Sequence, residues 1–234
     1  MKGFTVIIPV YNEEELIVDN TEKLMNFLNS LKIPYEIIIG DNGSTDSTFK
    51  KGKNLMEKYQ DKVEIFHLQE KGSVGAVFKK SVLKSRYDKI ISIDMDLSVD
   101  LNFITICLDL LNDNSIVIGS KITGSQERPL LRKLASYIYI KMVKILLGLE
   151  YHDYSPTSKG YKKSDIIGEF EYLDKGTFYT VALSYLIKRK GHNIKEIPVS
   201  CFDIRKSKFN LSKEIFYRFK NLMIFFIRIN LNNL

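Results

Sequence analysis

Short apolar runs alternate with helically spaced apolar residues over the first 120 residues of the chain. The run at residues 4–10 (FTVIIPV) is almost continuously apolar, which is typical of a strand covered on both faces. We predict further strands at 35–40, 63–67, 89–93 and 115–120, and helices at 13–31, 44–59, 74–84 and 101–111. Because strands and helices alternate, the simplest architecture is an α/β fold with a parallel sheet covered by helices.

The second half of the chain follows a different pattern. Its predicted elements are an amphipathic helix at 130–149, a polar loop at 151–163, a helix at 177–189, an edge strand at 193–199 and a final helix at 211–229. The sequence contains no repeat and no flexible linker. We therefore predict one domain at residues 1–210, followed by an amphipathic C-terminal helix at 211–234.

The composition is that of a globular protein, with 44% hydrophobic and 27% charged residues, and it excludes wholesale disorder. Cys107 and Cys201 lie far apart in sequence, which argues against a disulfide scaffold or a cysteine-built zinc site and favours a reducing compartment. The three histidines are scattered, so we assign them no role. The first residues predict no cleavable signal, and no uncharged apolar stretch reaches the roughly 18 residues of a membrane span.

Basic residues outnumber acidic ones, 35 to 28, and the net charge of +7 favours an anionic partner. Residues 205–228 contain seven Lys or Arg and one Glu, interleaved with five Phe. A basic, aromatic, amphipathic helix of this kind is typical of a segment that lies on an anionic membrane surface. The alternative is a helix packed on the domain or on a second subunit.

Polar clusters follow three of the predicted strands. They are YNE at 11–13, DNGS at 41–44 and DMD at 94–96. Because ligands of parallel sheets bind at the carboxyl ends of the strands, we expect these clusters to meet at one rim.

Asp94 and Asp96 directly follow an apolar strand and are separated by one residue, and we predict that the chain bends there. A divalent cation such as Mg²⁺ or Mn²⁺, which prefers oxygen ligands, is one reason to hold two carboxylates close. The alternative is a solvated loop with an Asp cap for the helix that starts near Asp100. Residues 41–46 are likewise consistent with a tight turn and a helix N-cap.

Taken together, and in this order, the segments resemble the family 2 glycosyltransferases with a GT-A fold. The segments are IPVYNEEE at 8–15, DNGSTDST at 41–48 and DMDLS at 94–98. Within that superfamily the chain is most similar to dolichyl-phosphate mannose synthase and its relatives, which glycosylate polyprenyl phosphates. Further matches are KGSVGA at 71–76, VIGSK at 117–121, RKLAS at 132–136 and EIPVSCFDIRKSKF at 196–209. The resemblance implies a Rossmann-like, mostly parallel central sheet flanked by helices.

The resemblance also implies a nucleotide-sugar site. The residues that match the pocket for base and ribose are Pro9, Tyr11, Glu13, Ile39 and Asp41. The residues that match the D-x-D segment beside the diphosphate are Asp94, Met95 and Asp96. Lys121 matches a position beside the sugar and phosphates, and Arg205 with Lys208 matches a basic pair that closes over the nucleotide sugar.

The metal and the acceptor follow from the same resemblance. Asp94, Asp96 and Ser98 would hold Mg²⁺ or Mn²⁺. Arg132 and Ser136, together with Lys121, match the residues that receive the lipid phosphate. Catalysis would depend on Asp94, Asp96 and Arg132.

The chain departs from the family pattern at three places. Asn42 stands where a second Asp is usual, and Lys121 stands where Arg is usual, which keeps the charge but loses bidentate phosphate geometry. Residues 153–161 (DYSPTSKGY) are an altered and longer form of a D-x-x-S-G-F-like motif. None of these departures identifies the donor sugar or its base.

The resemblance implies metal-dependent, inverting transfer of a sugar from a GDP- or UDP-sugar to dolichyl or another polyprenyl phosphate. The protein would be peripheral at the cytoplasmic face of a membrane. Residues 120–145 carry six Lys or Arg and one acid, which agrees with an acceptor that is already an anion. A hydroxyl acceptor would instead want a general base beside it.

The alternatives are a family 2 enzyme with a saccharide or protein hydroxyl as acceptor and a non-catalytic basic binding module. A nucleotidyltransferase is less consistent because no Gly-rich phosphate loop follows the first strand. Nucleic acid is not an expected partner, since no nucleic-acid motif is present and the acidic residues of the site would repel a polyanion. A separate membrane-anchoring partner stays open.

Overall fold

The computed structural model describes residues 3–70, 72–121, 123, 130–201 and 211–231, apart from the side chains of 130–133 and 211–212. The described strands are β1 Phe4–Val10, β2 Tyr35–Asn42, β3 Val63–Leu68, β4 Lys89–Ser92, β5 Ile116–Ser120, β6 Lys159–Lys162 and β7 Ile194–Pro198. The described helices are α1 Ile17–Ser30, α2 Thr48–Lys58, α3 Val74–Lys84, α4 Asn102–Leu110, α5 Leu130–Leu147, α6 Lys163–Ile166, α7 Tyr179–Arg189 and α8 Leu211–Leu231. A 3-10 helix at Ile167–Tyr172 follows α6.

The strands form one sheet in the order β3-β2-β1-β4-β6-β5-β7. Four neighbouring pairs are parallel, namely β1 with β2, β1 with β4, β2 with β3 and β5 with β7. The predicted mostly parallel sheet is confirmed, and β7 lies at an edge as expected.

The predicted polar loop at 151–163 is wrong, because it contains β6. This strand runs antiparallel between β4 and β5, so these two strands are not neighbours. Its sequence, KGYK, reads as polar, yet Lys159 and Tyr161 are buried. A Cβ on Gly160 would collide with the sulfur of Cys107 in α4, so a glycine lets β6 and α4 approach closely.

The sheet has a hydrophobic cluster on each face. Because successive residues of a strand point to opposite faces, Val6 and Ile8 join the cluster beneath α1, α2 and α4, while Ile7 joins the cluster beneath α3, α5 and α7. Each fully buried aliphatic side chain stabilises the fold by roughly 1.5 to 3 kcal/mol. This two-sided burial explains the continuous apolar run in β1.

The C-terminal helix α8 packs on the domain by one side. Leu222, Phe225 and Ile229 are buried in the second cluster, and the Phe225 ring lies 5.6 Å from that of Phe178. Of the alternatives left open for this helix, packing on the domain is therefore present in the structure. The division of the chain at residue 211 stays a prediction. Among the described residues, no helix has the length and apolarity that crossing a membrane requires.

This packing predicts different effects for two phenylalanines of α8. Phe225 is 6% exposed and Phe216 is 71% exposed. We expect Phe225→Ala to lower the free energy of unfolding by about 3 kcal/mol, because it empties a packed site. Phe216→Ala, the matched control, should change it by less than about 0.5 kcal/mol. Urea denaturation checks this, and equal losses in the two variants would contradict the packing of α8.

Candidate active site

The loop after β1 is fastened to the loop after β2 by side chains that accept backbone hydrogen bonds. The backbone N–H of Asn12 donates to Ser44 Oγ at 2.8 Å, and that of Glu13 donates to Thr48 Oγ1 at 2.7 Å. In return, Asn12 Oδ1 accepts from the backbone N–H of Thr45 at 2.8 Å. Asn12 itself has a positive φ of 54°, which turns the chain from β1 towards these partners. The first two predicted clusters are thus brought together.

The carboxylate of Asp41 is fully buried at the end of β2. Its Oδ1 accepts from the backbone N–H of Ser44 at 3.1 Å, and its Oδ2 lies 2.6 Å from Nδ1 of His67 on β3. Sequence reasoning gave His67 no role. Asp41 and His67 are register partners of two parallel strands, and that register cannot be read from either strand alone.

The remaining residues predicted for the base and ribose differ in exposure. Tyr11 and Glu13 are half-buried at the rim, and Pro9 is half-buried near the end of β1. Ile39 is fully buried within the first hydrophobic cluster. Of the set, Tyr11, Glu13 and Pro9 therefore keep part of their surface exposed, and their predicted role in binding base and ribose stays a prediction.

Asn42, the departure from the family pattern, is buried and joins two elements of the rim. Its Oδ1 accepts from the backbone N–H of Ser73, just before α3, at 2.9 Å. An amide oxygen accepts this hydrogen bond as a carboxylate would, but without a buried charge. Asn42 therefore fixes the start of α3 against the end of β2.

The chain bends sharply at the D-x-D segment, as predicted. Leu97 has a φ of 51°, and Asp96 Oδ1 accepts from the backbone N–H of Ser98 at 3.0 Å, so the segment closes on itself. Met95 is buried, and its carbonyl oxygen accepts from Asn20 Nδ2 of α1 at 2.9 Å. The bend is thus held from within and from the neighbouring helix.

Asp94 receives two donors on a single oxygen. Thr157 Oγ1 donates to Asp94 Oδ2 at 2.7 Å, and Lys121 Nζ lies 3.4 Å from the same atom. The side chain of Asp94 keeps 36% of its surface exposed. Sequence reasoning predicted Lys121 but missed Thr157, since Thr157 lies in the altered motif.

The oxygen donors of Asp94, Asp96 and Ser98 are of the kind that Mg²⁺ and Mn²⁺ prefer. Mg²⁺ is commonly held by one or two carboxylates together with substrate phosphates and waters, so a site completed by the substrate fits these residues. Within the described ranges, no group of three or more His, Cys, Asp or Glu is arranged to hold a metal ion.

A buried charge pair lies behind this site. Lys159 Nζ is 3.6 Å from Asp153 Oδ1, and both side chains are buried. Burial alone would raise the pKa of Asp153, but the Lys159 charge and hydrogen bonds from Ser155 and from the Lys121 backbone outweigh it and hold that pKa at about 2. Burial lowers the pKa of Lys159, against the attraction of Asp153. No single residue at 153–159 signalled this pair in the sequence.

The predicted acceptor residues are only partly described. Ser136 is half-buried on α5. The side chain of Arg132, and Arg205 and Lys208 as a whole, lie outside the described residues. Their predicted roles therefore stay predictions.

Comparison with known proteins relates the chain to one family. The model of the glycosyl transferase family 2 matches residues 5–168. A dolichol-phosphate mannosyltransferase of Pyrococcus furiosus is 31% identical over 206 residues, which cover 86% of this chain and 56% of that protein. A dolichyl-phosphate beta-glucosyltransferase of Dictyostelium discoideum is 27% identical and covers 87% of this chain and 68% of that protein. The chain thus spans little more than half of the first relative and about two thirds of the second.

Solved structures share the fold at low sequence identity. Glucosyl-3-phosphoglycerate synthase of Mycobacterium tuberculosis, in complex with UDP, has a TM-score of 0.68 at 17% identity, covering 96% of this chain and 80% of that one. S. aureus TarS 1-349, in complex with UDP-GlcNAc, has a TM-score of 0.61 at 15% identity, covering 95% of this chain and 66% of that one. The predicted GT-A fold is confirmed.

The buried pair predicts an acid-sensitive contribution to stability. The pKa of Asp153 falls from an ordinary 3.8 to about 2 on folding, so its contribution is complete above pH 4 and is lost as the pH falls towards 2. Between pH 5 and pH 2, the native protein should lose about 2 kcal/mol of unfolding free energy that Asp153→Asn does not lose. Urea denaturation at several pH values measures this difference. Parallel pH curves for the two proteins would contradict it.

Proposed function

Because this chain belongs to the glycosyl transferase family 2, we propose that it is a metal-dependent, inverting glycosyltransferase acting on a polyprenyl phosphate. In the reaction, the bond between the anomeric carbon and the nucleoside diphosphate breaks. A new bond forms between that carbon and an oxygen of the acceptor phosphate. The nucleoside diphosphate leaves with the bonding electron pair, and no proton transfer is needed because the acceptor is already an anion.

One observation carries the proposal furthest. Lys121 Nζ, a buried cation, lies 3.4 Å from Asp94 of the D-x-D segment. An ammonium group beside a carboxylate rim suits a site that must hold phosphate groups on one side and a metal on the other. The named relatives act on dolichol or dolichyl phosphate, which supports a lipid phosphate as acceptor.

The donor would be held at the rim between β1 and β2. Tyr11, Glu13 and Pro9 offer surface to the base and ribose, above the buried Asp41. Ile39 would support this pocket from beneath. These residues do not distinguish a GDP-sugar from a UDP-sugar, so the transfer assay includes both kinds of donor.

The diphosphate would lie at the D-x-D segment. Asp94, Asp96 and Ser98 would hold Mg²⁺ or Mn²⁺, and Met95 would lie beside the diphosphate. Such an ion would neutralise the charge that develops on the leaving diphosphate. The solved structures of the M. tuberculosis synthase with Mg²⁺ or Mn²⁺ and UDP support this choice of cations.

The acceptor phosphate would meet a cationic face. Lys121, Arg132 and Ser136 would position it for attack, and Arg205 with Lys208 would close over the donor. The chain's contribution is then positioning and electrostatic stabilisation, which account for most catalysis of this kind.

A membrane surface would present the lipid acceptor. Helices α5 and α8 contact each other through Tyr139 and Phe219, whose rings are 5.5 Å apart. Both expose large apolar side chains on another side, namely Leu134, Tyr137, Ile138 and Ile145 on α5 and Phe216, Met223, Ile224, Ile227 and Leu231 on α8. Exposed Lys141, Lys144, Lys220 and Arg228 accompany them. Apolar and basic residues together suit a peripheral protein at the cytoplasmic face of a membrane.

A transfer assay tests the reaction. Purified protein with Mn²⁺ or Mg²⁺ receives labelled GDP- and UDP-sugars and a polyprenyl phosphate, and label in the lipid phase is counted. We expect transfer from one donor, its loss with a chelator, and a loss of about 100-fold or more in Asp96→Ala. Asp100→Asn, an exposed carboxylate of the same loop, is the matched control and should keep its activity.

The negative outcomes separate the alternatives. Donor binding without a lipid product would indicate a saccharide or protein hydroxyl as acceptor. Absence of nucleotide-sugar binding would overturn the enzymatic proposal and favour a non-catalytic basic module.

Sedimentation with vesicles tests the membrane surface. We expect the protein to bind vesicles that contain phosphatidylglycerol more strongly than vesicles of phosphatidylcholine alone. The double variant Ile145→Glu/Ile224→Glu should bind about tenfold more weakly, because it replaces apolar surface on both helices with charge. Leu83→Glu places the same charge on exposed α3 and should bind as the native protein does. Equal binding by all three proteins would contradict the assignment.

A further inference from the structure

Lys159 is a lysine with almost no access to water. It is 2% exposed, and its ammonium group is enclosed by the loop that precedes β6. The acceptors around Nζ are the carbonyl oxygen of Thr157 at 3.3 Å, Ser155 Oγ at 3.5 Å and Asp153 Oδ1 at 3.6 Å. The loop is therefore wrapped around a buried positive charge.

The loop reaches the D-x-D segment by two routes. In the first, the carbonyl oxygen of Thr157 accepts from Lys159 Nζ, and the hydroxyl of Thr157 donates to Asp94 Oδ2 at 2.7 Å. In the second, Asp153 Oδ2 accepts from the backbone N–H of Lys121 at 3.0 Å, and Lys121 Nζ lies 3.4 Å from the same Asp94 oxygen. Both routes end on one atom, Asp94 Oδ2.

Stability alone does not explain this arrangement. Loss of one charge of a buried ion pair is destabilising, but apolar residues of similar volume often replace the whole pair without loss, so a pair is not needed for stability. The adjoining Ser158 adds cost, since its φ is 57° and its buried hydroxyl has no hydrogen-bond partner in the described part of the chain. A buried ion pair, a positive φ and a hydroxyl unpaired among the described residues all lie beside the D-x-D segment. Such costs are typical of a loop whose conformation serves the neighbouring site.

We propose that Lys159 and Asp153 are positioning residues that orient the Asp94 carboxylate for the metal and diphosphate of the donor. They hold Thr157 and Lys121 on Oδ2, so that Oδ1 is the oxygen turned to the ligand. This inference rests on the proposed function, because it assigns the ligand of that same site. It concerns residues that touch no substrate themselves.

A double-mutant cycle on metal binding tests the inference. Binding of Mn²⁺ in the presence of UDP or GDP is measured by electron paramagnetic resonance, at a temperature well below the melting point of every variant. The variants are Lys159→Met, which keeps the length of the side chain without its charge, Thr157→Val, and the two combined. We expect each single variant to weaken Mn²⁺ binding about 10- to 100-fold, the usual effect of losing a partner that orients a metal ligand.

The coupling between the variants separates positioning from structural support. If Lys159 acts through Thr157, the combined variant should bind little more weakly than either single variant, so the effects are not additive. Asp153→Asn/Lys159→Met, which removes both charges, should weaken binding to the same extent while remaining folded. Glu36→Gln/Arg86→Met removes an ion pair at the opposite end of the strands and should leave binding within about twofold.

Each outcome decides between the two proposals. If the native protein binds no Mn²⁺–nucleotide complex, the proposed function fails and this inference fails with it. If the native protein binds but Lys159→Met binds equally well, or if the effects of Lys159→Met and Thr157→Val are additive, the inference alone is overturned.

Discussion

The parallel pairing of β1 with both β2 and β4 is the constraint on which the site depends. The register joins Val10 to Asp41 on one side and Ile7 to Ser92 on the other. β1 and β2 therefore end at about the same level, and β4 ends shortly before them. Because all three strands run parallel, the loops that follow them lie at the same edge of the sheet. The structure of the rim then depends on the hydrogen bonds that its side chains can form. Backbone N–H groups of the loop after β1 donate to hydroxyl and carboxylate oxygens of the loop after β2, and the buried Asp41 contacts His67.

Most of the first half of the fold could be predicted from the sequence because burial on both faces of the sheet leaves an unmistakable apolar run. The position of the D-x-D segment at a strand end could also be predicted, since its acidic residues directly follow a buried apolar run. β6 could not be predicted from the sequence. A lysine flanked by polar residues indicates an exposed loop, and its burial here depends on the charge of Asp153, which comes close only in the folded loop. The contact of His67 with Asp41 was equally hidden, because it depends on a register between strands that are about twenty residues apart in sequence.

Backbone strain in this protein is concentrated where function is proposed. Four non-glycine residues have positive φ in the described part of the chain, and three of them, Asn12, Leu97 and Ser158, lie in loops at the carboxyl rim. Glycine adopts a positive φ most readily, but a glycine at each of these positions would leave the loop free to adopt many conformations. Each of the three is instead held by neighbours, for example by the bonds between Asn12 and the loop after β2. These hydrogen bonds fix the conformation of the described loops, and such preorganisation would lower the entropy that binding of the proposed donor must overcome.

The position of β6 has a consequence for how the chain reaches its native state during synthesis. The unit β3-β2-β1-β4 contains only strands from the first 92 residues, so its pairings become available early. β5, which leads into Lys121, has only β6 and β7 as neighbours, and both are made later. After β5 has left the ribosome, it therefore stays unpaired until β6, which ends at Lys162, has been synthesised. Late contacts of this kind raise the contact order and lengthen the time during which an open strand edge is exposed to other chains.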